Sequence, residues 1–295
     1  NDIITITIKL SLKIIMPELP EVEVIVRGLK KNILDSKILD FNILNKKLRF
    51  PVDPNMRSLY KNRTIKYIFR RGKYGFIILD GRDHIVFHLG MTGKFRLSTN
   101  LKIKKKHDHI FIKLSNKLNL IYNDVRKFGF FLKVSNPIDL YNFRNLGVEP
   151  NFLKHSKTSL WKSLKKKKKD IKSILLDQSF IAGVGNIYAS EILFDSKIHP
   201  LKNGIEFDKK SFDQLILSTE KILNKAIEKG GVSIKDYRNI AGELGYFQID
   251  LKVYGREGLS CFKCRNLITK IKSNGRSTFY CGKCQKNEKS QRYNI

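Results

Sequence analysis

Four cysteines form the clearest chemical motif in the sequence. They occur as two Cys-x-x-Cys pairs, Cys261 with Cys264 and Cys281 with Cys284, separated by sixteen residues. Each pair can supply two thiolates to one side of a tetrahedral Zn²⁺, and the residues between the pairs can close the site as a hairpin. Because cysteine fills all four positions, we expect one structural zinc ion and no metal catalysis. Redox-active or unmetallated cysteines are the alternative interpretation.

Two other segments carry residues suited to acid–base chemistry or anion binding. The segment Met16-Pro-Glu-Leu-Pro-Glu-Val-Glu is, by pattern alone, typical of a helix N-terminus, where the dipole favours Glu21 and Glu23. The segment GVGNIYASE at 183–191 predicts a tight glycine turn that opens a helix, and the backbone N–H groups of such a turn can bind an anion. It lacks the third glycine of a dinucleotide-binding fingerprint.

The charge balance indicates an acidic polymer as the partner. Lysine and arginine total 58 against 27 aspartates and glutamates, a net charge of +31. An AT-rich genome also favours lysine codons, but this bias does not explain the shortage of acidic residues. No apolar run approaches the roughly 18 residues that a membrane span needs, so integral membrane proteins are excluded. The clustering of all four cysteines indicates a reducing, intracellular compartment, and we expect the cytoplasm.

The hydrophobic pattern divides the chain into a β-rich first half and a helical second half. A helix is predicted after Pro20, and short apolar runs between about 38 and 134 predict an antiparallel sandwich or barrel. The polar stretch 137–157 is predicted to link two domains. An apolar stripe over 208–229, ended by Gly230, predicts a helix that faces the core of a small bundle.

Eight motifs in order make the chain resemble the formamidopyrimidine-DNA glycosylases, which excise oxidised purines. The resemblance extends from residue 16 to about 286. The motifs are MPELPEVE at 16–23, RRGKYG at 70–75, HLGMTG at 88–93, KHDH at 106–109, RKFG at 126–129, GVGNIYASE at 183–191, VYGREG at 253–258 and the cysteine hairpin with GRSTFYC at 275–281.

The resemblance implies an α+β fold of three parts with DNA in the cleft between the halves. An N-terminal catalytic β-sandwich with a leading helix is expected at 16–136, and the link follows at 137–157. A helix-two-turns-helix DNA-binding domain is expected at 158–252. A zinc-bound β-hairpin is expected at 253–288, and 289–295 form a tail.

The resemblance also implies the residues that carry out the reaction. The nucleophile is the secondary amine of Pro17, after removal of Met16, which attacks the deoxyribose C1′ and leads to strand cleavage by successive eliminations. Glu18 is the acid that protonates the sugar ring oxygen. Lys73, between two predicted strands, contacts phosphate near the damaged nucleotide.

Further residues are expected at the lesion and along the DNA. Glu21 and Glu191 match acids at the lesion pocket, with helix capping or structural pairing as the alternative. The residues matched to filling the gap left by the extruded nucleotide are Met91, Arg126 and Phe128. The residues matched to DNA binding are His107, Lys127, Lys168, Asn186 and Arg276. For the lysine run at 165–169, nonspecific DNA contact and coding bias remain equal alternatives.

The segment 1–15 conflicts with a proline nucleophile. Once a residue is joined to Pro17, its nitrogen is a tertiary amide whose lone pair is delocalised into the carbonyl. We therefore expect 1–15 to be an upstream extension from start-site assignment, because Met16 is a ready translation start. Proteolytic processing and a lost activity are the alternatives.

The sequence as a whole predicts a base-excision repair enzyme, a bifunctional glycosylase and abasic-site lyase. Its expected partner is double-stranded DNA that contains oxidised bases, bound by a monomer, without a membrane. One alternative is an endonuclease VIII-like enzyme for oxidised pyrimidines, which typically begins MPEGPE and lacks the Met, Arg, Phe set. The other is a zinc-ribbon nucleic-acid-binding protein without catalysis, which does not need Pro17, Glu18 and Lys73.

Overall fold

The N-terminal half begins with a helix that packs on a β-sandwich. A computed structural model describes residues 16–99, 105–136, 145–232 and 250–286. Helix α1, Leu19–Ile33, buries the apolar stripe that predicted it, and Lys30 and Lys31 lie in its last turn, where the helix dipole favours cations. The predicted extension 1–15 lies outside the described residues.

The sandwich consists of two four-stranded antiparallel sheets, in the orders β1-β6-β7-β5 and β2-β3-β4-β8. The strands are β1 Ile38–Ile43, β2 Ile65–Arg71, β3 Tyr74–Leu79, β4 His84–His88, β5 Gly93–Ser98, β6 Asp108–Leu114, β7 Asn119–Asp124 and β8 Phe130–Val134, and the short helix α2 spans Met56–Tyr60. Side chains from both sheets and α1 form one core. The predicted antiparallel sandwich is confirmed.

Two elements of this half were not predicted, β5 and α2. Strand β5 reads GKFRLS, and only Gly93 and Phe95 of its residues are buried. A single buried large side chain gives too weak a period-2 signal to identify a strand. Helix α2 is only five residues long, which is shorter than the window over which helical periodicity shows.

The second half is helical, as predicted. Its helices are α3 Lys157–Leu164, α4 Ile171–Leu176, α5 Asn186–Asp195 and α6 Lys209–Glu228, and they share a core separate from that of the sandwich. Helix α6 coincides with the predicted stripe; Asp208 caps it by accepting from Ser211 N at 2.7 Å. Among the described residues, no helix is long and apolar enough to cross a bilayer.

The cysteine segment folds as a β-hairpin that packs on the helical half. Strands β9, Thr269–Ser273, and β10, Arg276–Tyr280, pair in antiparallel fashion across a turn at 274–275. The side chains of Phe279 and Ile268 are buried against Phe194 of α5. Cys261 and Cys281 belong to the same buried cluster. This small core joins the hairpin to the helix that lies beside the site described below.

The sandwich and the helical half are joined by charged contacts near the turn between β2 and β3. Glu149 accepts from Gly72 N at 2.5 Å and pairs with Arg70 and Arg71, each at 2.9 Å. The described part of the predicted link, 145–157, lies against the helical half: Gly147 N donates to Gln178 O at 2.8 Å. The link residues 137–144 are outside the described part of the chain.

Candidate active site

The site is built around the Glu18 carboxyl group, which lies between the two halves. Glu18 directly precedes α1 and is only 2% exposed. Its side chain crosses to the helical half, where Ile187 N donates to Oε1 at 2.9 Å and Tyr188 N donates to Oε2 at 3.4 Å. These N–H groups belong to the first turn of α5, where the helix dipole also favours an anion. The anion site predicted at this glycine turn therefore holds a carboxylate of the chain itself.

Glycines allow the start of α1 to approach the helical half so closely. Gly183 has a φ of +90°, and a Cβ there would lie 2.6 Å from the Cβ of Leu19. Leu19 N donates to Gly183 O at 3.1 Å, so the approach is fixed by a backbone hydrogen bond. A Cβ at Gly185 would overlap the Glu18 carboxyl group. Gly183 and Gly185 therefore leave the space that Leu19 and the Glu18 carboxyl group occupy.

Burial and a nearby cation set the electrostatics of this carboxyl group. Burial raises the pKa of Glu18, while the charge of Lys73 and the backbone N–H groups partly offset that rise. A raised pKa suits an acid that must deliver a proton at neutral pH. Pro17, the residue before Glu18, is buried as well.

Lys73 lies in the two-residue turn between β2 and β3 and is half-buried. Burial lowers the pKa of Lys73, the Glu18 carboxylate opposes the decrease, and Arg276 contributes to it. Residues from the turn, the N-terminal segment and the zinc hairpin therefore interact electrostatically at one place. The three residues, Glu18, Lys73 and Arg276, are 55 or more positions apart in the sequence.

The zinc hairpin is held next to the site by two side chains of the helical half. Asn186 Nδ2 donates to Ser277 O at 3.0 Å, and Lys172 Nζ donates to the same carbonyl at 2.8 Å and to Thr278 Oγ1 at 2.7 Å. Because Arg276 directly precedes Ser277, these bonds fix the backbone beside its exposed side chain. Burial, with Arg276 nearby, lowers the pKa of Lys172 to about 8.

The sequence did not single out Lys172, although it is 2% exposed. Its helix α4 has only six residues, too few to display a buried face in the hydrophobic pattern. The only available signal was a lysine between Ile171 and Ile174, and that pattern is also typical of an exposed position.

The two predicted lesion-pocket acids make structural contacts in this protein. Glu21 is buried and accepts from Glu18 N at 2.8 Å, Tyr188 Oη at 2.6 Å and Val232 N at 2.9 Å. Burial raises its pKa to about 7. Glu191 is also buried and accepts from the backbone of 252–254 at 2.8–3.0 Å. These contacts favour the structural alternative for both residues, most clearly for Glu191.

The predicted gap-filling residues lie on two adjacent loops of the sandwich. Met91 follows β4 and is half-buried, whereas Arg126 and Phe128 follow β7 and are exposed. The Arg126 guanidinium lies 4.7 Å from the centre of the Phe128 ring, a cation–π contact.

His88 at the end of β4 is kept neutral, because burial, with Lys73 and Arg49 nearby, lowers its pKa to about 4.

The remaining predicted DNA contacts are spread over the surface. His107 and Lys127 are half-buried and have left-handed φ values of 70° and 57°, and Lys168 is exposed. Within the lysine run, Lys165 is not free: its Nζ donates to Phe207 O at 2.9 Å and to Ile205 O. The structure thus brings Glu18, Lys73, Asn186 and Arg276 together, whereas Lys168 is not among their contacts.

The four cysteines converge as a metal site requires. Their Sγ atoms all lie within 4.8 Å of one another; Cys261 and Cys284 are 3.9 Å apart, and Cys264 and Cys281 are 3.4 Å apart. Four thiolates at the usual Zn–S distance would be spaced by about 3.8 Å. The donor set and spacing fit a single structural zinc ion.

Comparison with known protein families gives three matches in chain order. Residues 16–131 match the formamidopyrimidine-DNA glycosylase N-terminal domain, and residues 146–238 match the formamidopyrimidine-DNA glycosylase H2TH domain. Residues 258–287 match the zinc finger found in FPG and IleRS.

Individual relatives match over nearly the whole chain. The formamidopyrimidine-DNA glycosylase of Shewanella woodyi is 42% identical over 271 residues, which are 92% of this chain and 99% of the relative. That of Wolbachia pipientis subsp. Culex pipiens is 40% identical over 270 residues, 92% of this chain and all of the relative.

Solved structures agree in fold. Lactococcus lactis Fpg in complex with DNA containing an abasic site has a TM-score of 0.86 at 37% identity, covering 92% of this chain and all of that one. The wild-type L. lactis protein with DNA containing N7-benzyl-Fapy-dG has a TM-score of 0.85 with the same coverage and identity. MutM with DNA containing carbocyclic 8-oxo-G has a TM-score of 0.84 at 38% identity and the same coverage.

Proposed function

The chain belongs to the formamidopyrimidine-DNA glycosylase family, and from this membership we propose which of its residues carry out the repair of oxidised purines. It excises oxidised purines from duplex DNA and cleaves the strand at the resulting abasic site. The zinc-bound hairpin is part of its DNA-binding fold. The single observation that supports the assignment of residues is the buried Glu18 carboxyl group, next to Pro17, within electrostatic reach of Lys73.

In the proposed reaction, Pro17 N attacks the deoxyribose C1′, the bond from C1′ to the damaged base breaks, and the departing base takes up the proton that Pro17 N loses. Glu18 protonates the ring oxygen, which opens the sugar, and the nitrogen lone pair completes an iminium at C1′. The iminium acidifies the C2′ proton, whose loss expels the 3′ phosphate, and a second elimination expels the 5′ phosphate. Lys73 and Arg276 are cations at the site and would hold these phosphates.

This mechanism requires that Pro17 be the first residue of the working enzyme. A free α-amine has a pKa of about 8 and is partly neutral at physiological pH, whereas an acylated proline nitrogen cannot form an iminium. We therefore propose that the active form lacks residues 1–16, through translation from Met16 and removal of that methionine.

The other assigned residues would bind and extrude the lesion. Asn186 contributes to the phosphate clamp, and His107, Lys127 and Lys168 to the DNA surface. Met91, Arg126 and Phe128 would occupy the space that the flipped nucleotide leaves. We retain Glu21 and Glu191 as supports of this pocket, since their oxygens already accept hydrogen bonds from the protein. Because the substrate is chromosomal DNA and the relatives are bacterial, we place the protein with the nucleoid in the cytoplasm.

The relatives favour oxidised purines over the oxidised pyrimidines of an endonuclease VIII-like enzyme, and they favour catalysis over DNA binding alone. Borohydride trapping tests the residue assignment. A chain that begins at Pro17 should form a reducible covalent adduct with a duplex that carries 8-oxoguanine, and peptide mapping should locate the adduct on Pro17. A chain that begins at Asn1, purified intact, should form none. An adduct on a lysine, or equal trapping by both chains, would refute the assignment.

A further inference from the structure

A chain of hydrogen bonds joins the two loops that carry the gap-filling residues. Arg126 N donates to Thr92 Oγ1 at 3.0 Å, and the Thr92 hydroxyl donates to Asp124 Oδ1. Gly129 N donates to Asp124 Oδ2 at 2.8 Å. The loop after β4, which carries Met91, is therefore tied to both ends of the loop after β7.

Asp124 is the centre of this chain. Its side chain is fully buried, and it also accepts from the Tyr122 hydroxyl at 3.3 Å. Among the residues that the structure describes, no lysine or arginine forms an ion pair with it. A buried carboxylate without a cation depends on neutral donors for its stability, so the loss of any one donor is costly. Two of those donors, Thr92 Oγ1 and Gly129 N, belong to the two loops.

The backbones of the loops are also in direct contact. A Cβ added at Gly90 would overlap the backbone of Phe128 and Gly129, and one at Gly129 would overlap the Tyr122 hydroxyl. A Cβ at Gly93 would lie 2.5 Å from the same hydroxyl. At Gly90 the loop after β4 therefore packs directly on the backbone of the loop after β7, and the two loops cannot shift independently without breaking the bonds to Asp124.

Two exposed side chains on the loop after β7 already contact each other. Phe128 is 44% exposed, and the Arg126 guanidinium stacks on its ring at 4.7 Å. Ordering a long side chain at a binding interface costs conformational entropy, so side chains that are fixed beforehand bind more favourably.

We propose that Thr92 and Asp124 are positioning residues that preassemble Met91, Arg126 and Phe128 into one rigid wedge before DNA is bound. The wedge then enters the duplex as a unit, and base extrusion does not wait for three side chains to be ordered separately. This inference rests on the proposed function, because it takes the gap-filling role of the three residues as given. In this role the Thr92 hydroxyl and the Asp124 carboxylate act without contacting DNA.

The substitution Thr92→Val tests the proposal, because valine keeps the shape of threonine and removes the hydroxyl. It should slow single-turnover excision of 8-oxoguanine about tenfold and leave cleavage at a preformed abasic site within about threefold. Thr92→Ser, which retains the hydroxyl, should restore excision. Thr219→Val is the matched control: it removes a buried hydroxyl that donates to Leu215 O at 2.7 Å in α6, away from the wedge, and should not slow excision.

A second measurement separates positioning from a general loss of stability. When Met91, Arg126 and Phe128 are all replaced by alanine, adding Thr92→Val should slow excision no further, because the side chains that it positions are absent. A full additional loss in that background, or an excision rate in Thr92→Val equal to that of wild type, would overturn the proposal. If the variant with all three alanines itself excises at the wild-type rate, the gap-filling role is refuted, and the proposed preassembly is refuted with it.

Discussion

The position of the Glu18 carboxyl group can be tested by a substitution that removes no reacting group. Gly185 has an extended backbone, with φ −129° and ψ −162°, that alanine adopts without strain. The added Cβ of Gly185→Ala, however, would lie 2.6 Å from Glu18 Oε2 and closer still to the carboxyl carbon. Because carbon and oxygen atoms pack at about 3.5 Å, the carboxyl group must move by about 1 Å.

The size of the effect follows from that displacement. A shift of about 1 Å lengthens the 2.9 Å bond from Ile187 N beyond hydrogen-bond distance. A hydrogen bond to a charged group contributes about 1.5–3 kcal/mol, and each 1.4 kcal/mol in a barrier changes a rate about tenfold. We therefore expect base excision to slow by about 10- to 100-fold.

Single-turnover excision from a duplex with 8-oxoguanine, followed by borohydride trapping, measures this effect on a chain that begins at Pro17. Ser58→Ala is the control, because it removes only an exposed hydroxyl that donates to Asn55 O at 3.0 Å in α2. It also leaves an alanine and should leave excision unchanged. A folded Gly185→Ala variant that excises within threefold of wild type would show that the position of the Glu18 carboxyl group does not limit the reaction.

Three further predictions concern the metal, pH and salt. Zinc chelation should abolish tight DNA binding while the fluorescence of the sole tryptophan, Trp161 of α3, stays unchanged, since the metal stabilises only the hairpin; unchanged DNA affinity would contradict this. Burial raises the pKa of Glu21 from 4.5 to about 7, so the folded state binds the proton more tightly than the unfolded state. Ionisation of Glu21 should therefore lower the stability by up to about 3 kcal/mol as pH rises from 4.5 to 7, and denaturant unfolding of Glu21→Gln should show a pH slope that is smaller by this contribution. Arg276→Ala should weaken DNA binding on all sequences and reduce the slope of log affinity against log salt by about 1, whereas an unchanged slope would exclude a phosphate contact.

The elements that carry a strong hydrophobic period were predictable from the sequence, and those that depend on one or two buried residues were not. Helices α1 and α6 have long apolar stripes, and seven of the eight sandwich strands were visible as β-rich runs. Strand β5 and helix α4 lack such a signal, so Lys172 on α4 was missed with its helix.

The site was predictable by residue type but not by contact. The sequence indicated an anion at the turn that begins with Gly183, and it indicated Glu18 as an acid, yet 169 positions separate Glu18 from Ile187. Only the packing of the sandwich against the helical half shows that the Glu18 carboxylate is the anion bound at this turn. Likewise, the pattern around Asp124 reads as the end of a strand, and its role in joining two loops depends on Thr92, 32 positions earlier.

The bond between Glu18 and the first turn of α5 has a consequence for how the molecule can be divided. The acid belongs to one folding unit and its hydrogen-bond donors belong to another, each with its own core. Neither unit alone has a complete reaction centre, so two fragments cut at the link should each be inactive. Mixing them should restore cleavage only to the extent that the fragments associate. The rate of strand cleavage by the mixed fragments therefore measures how strongly the two halves associate.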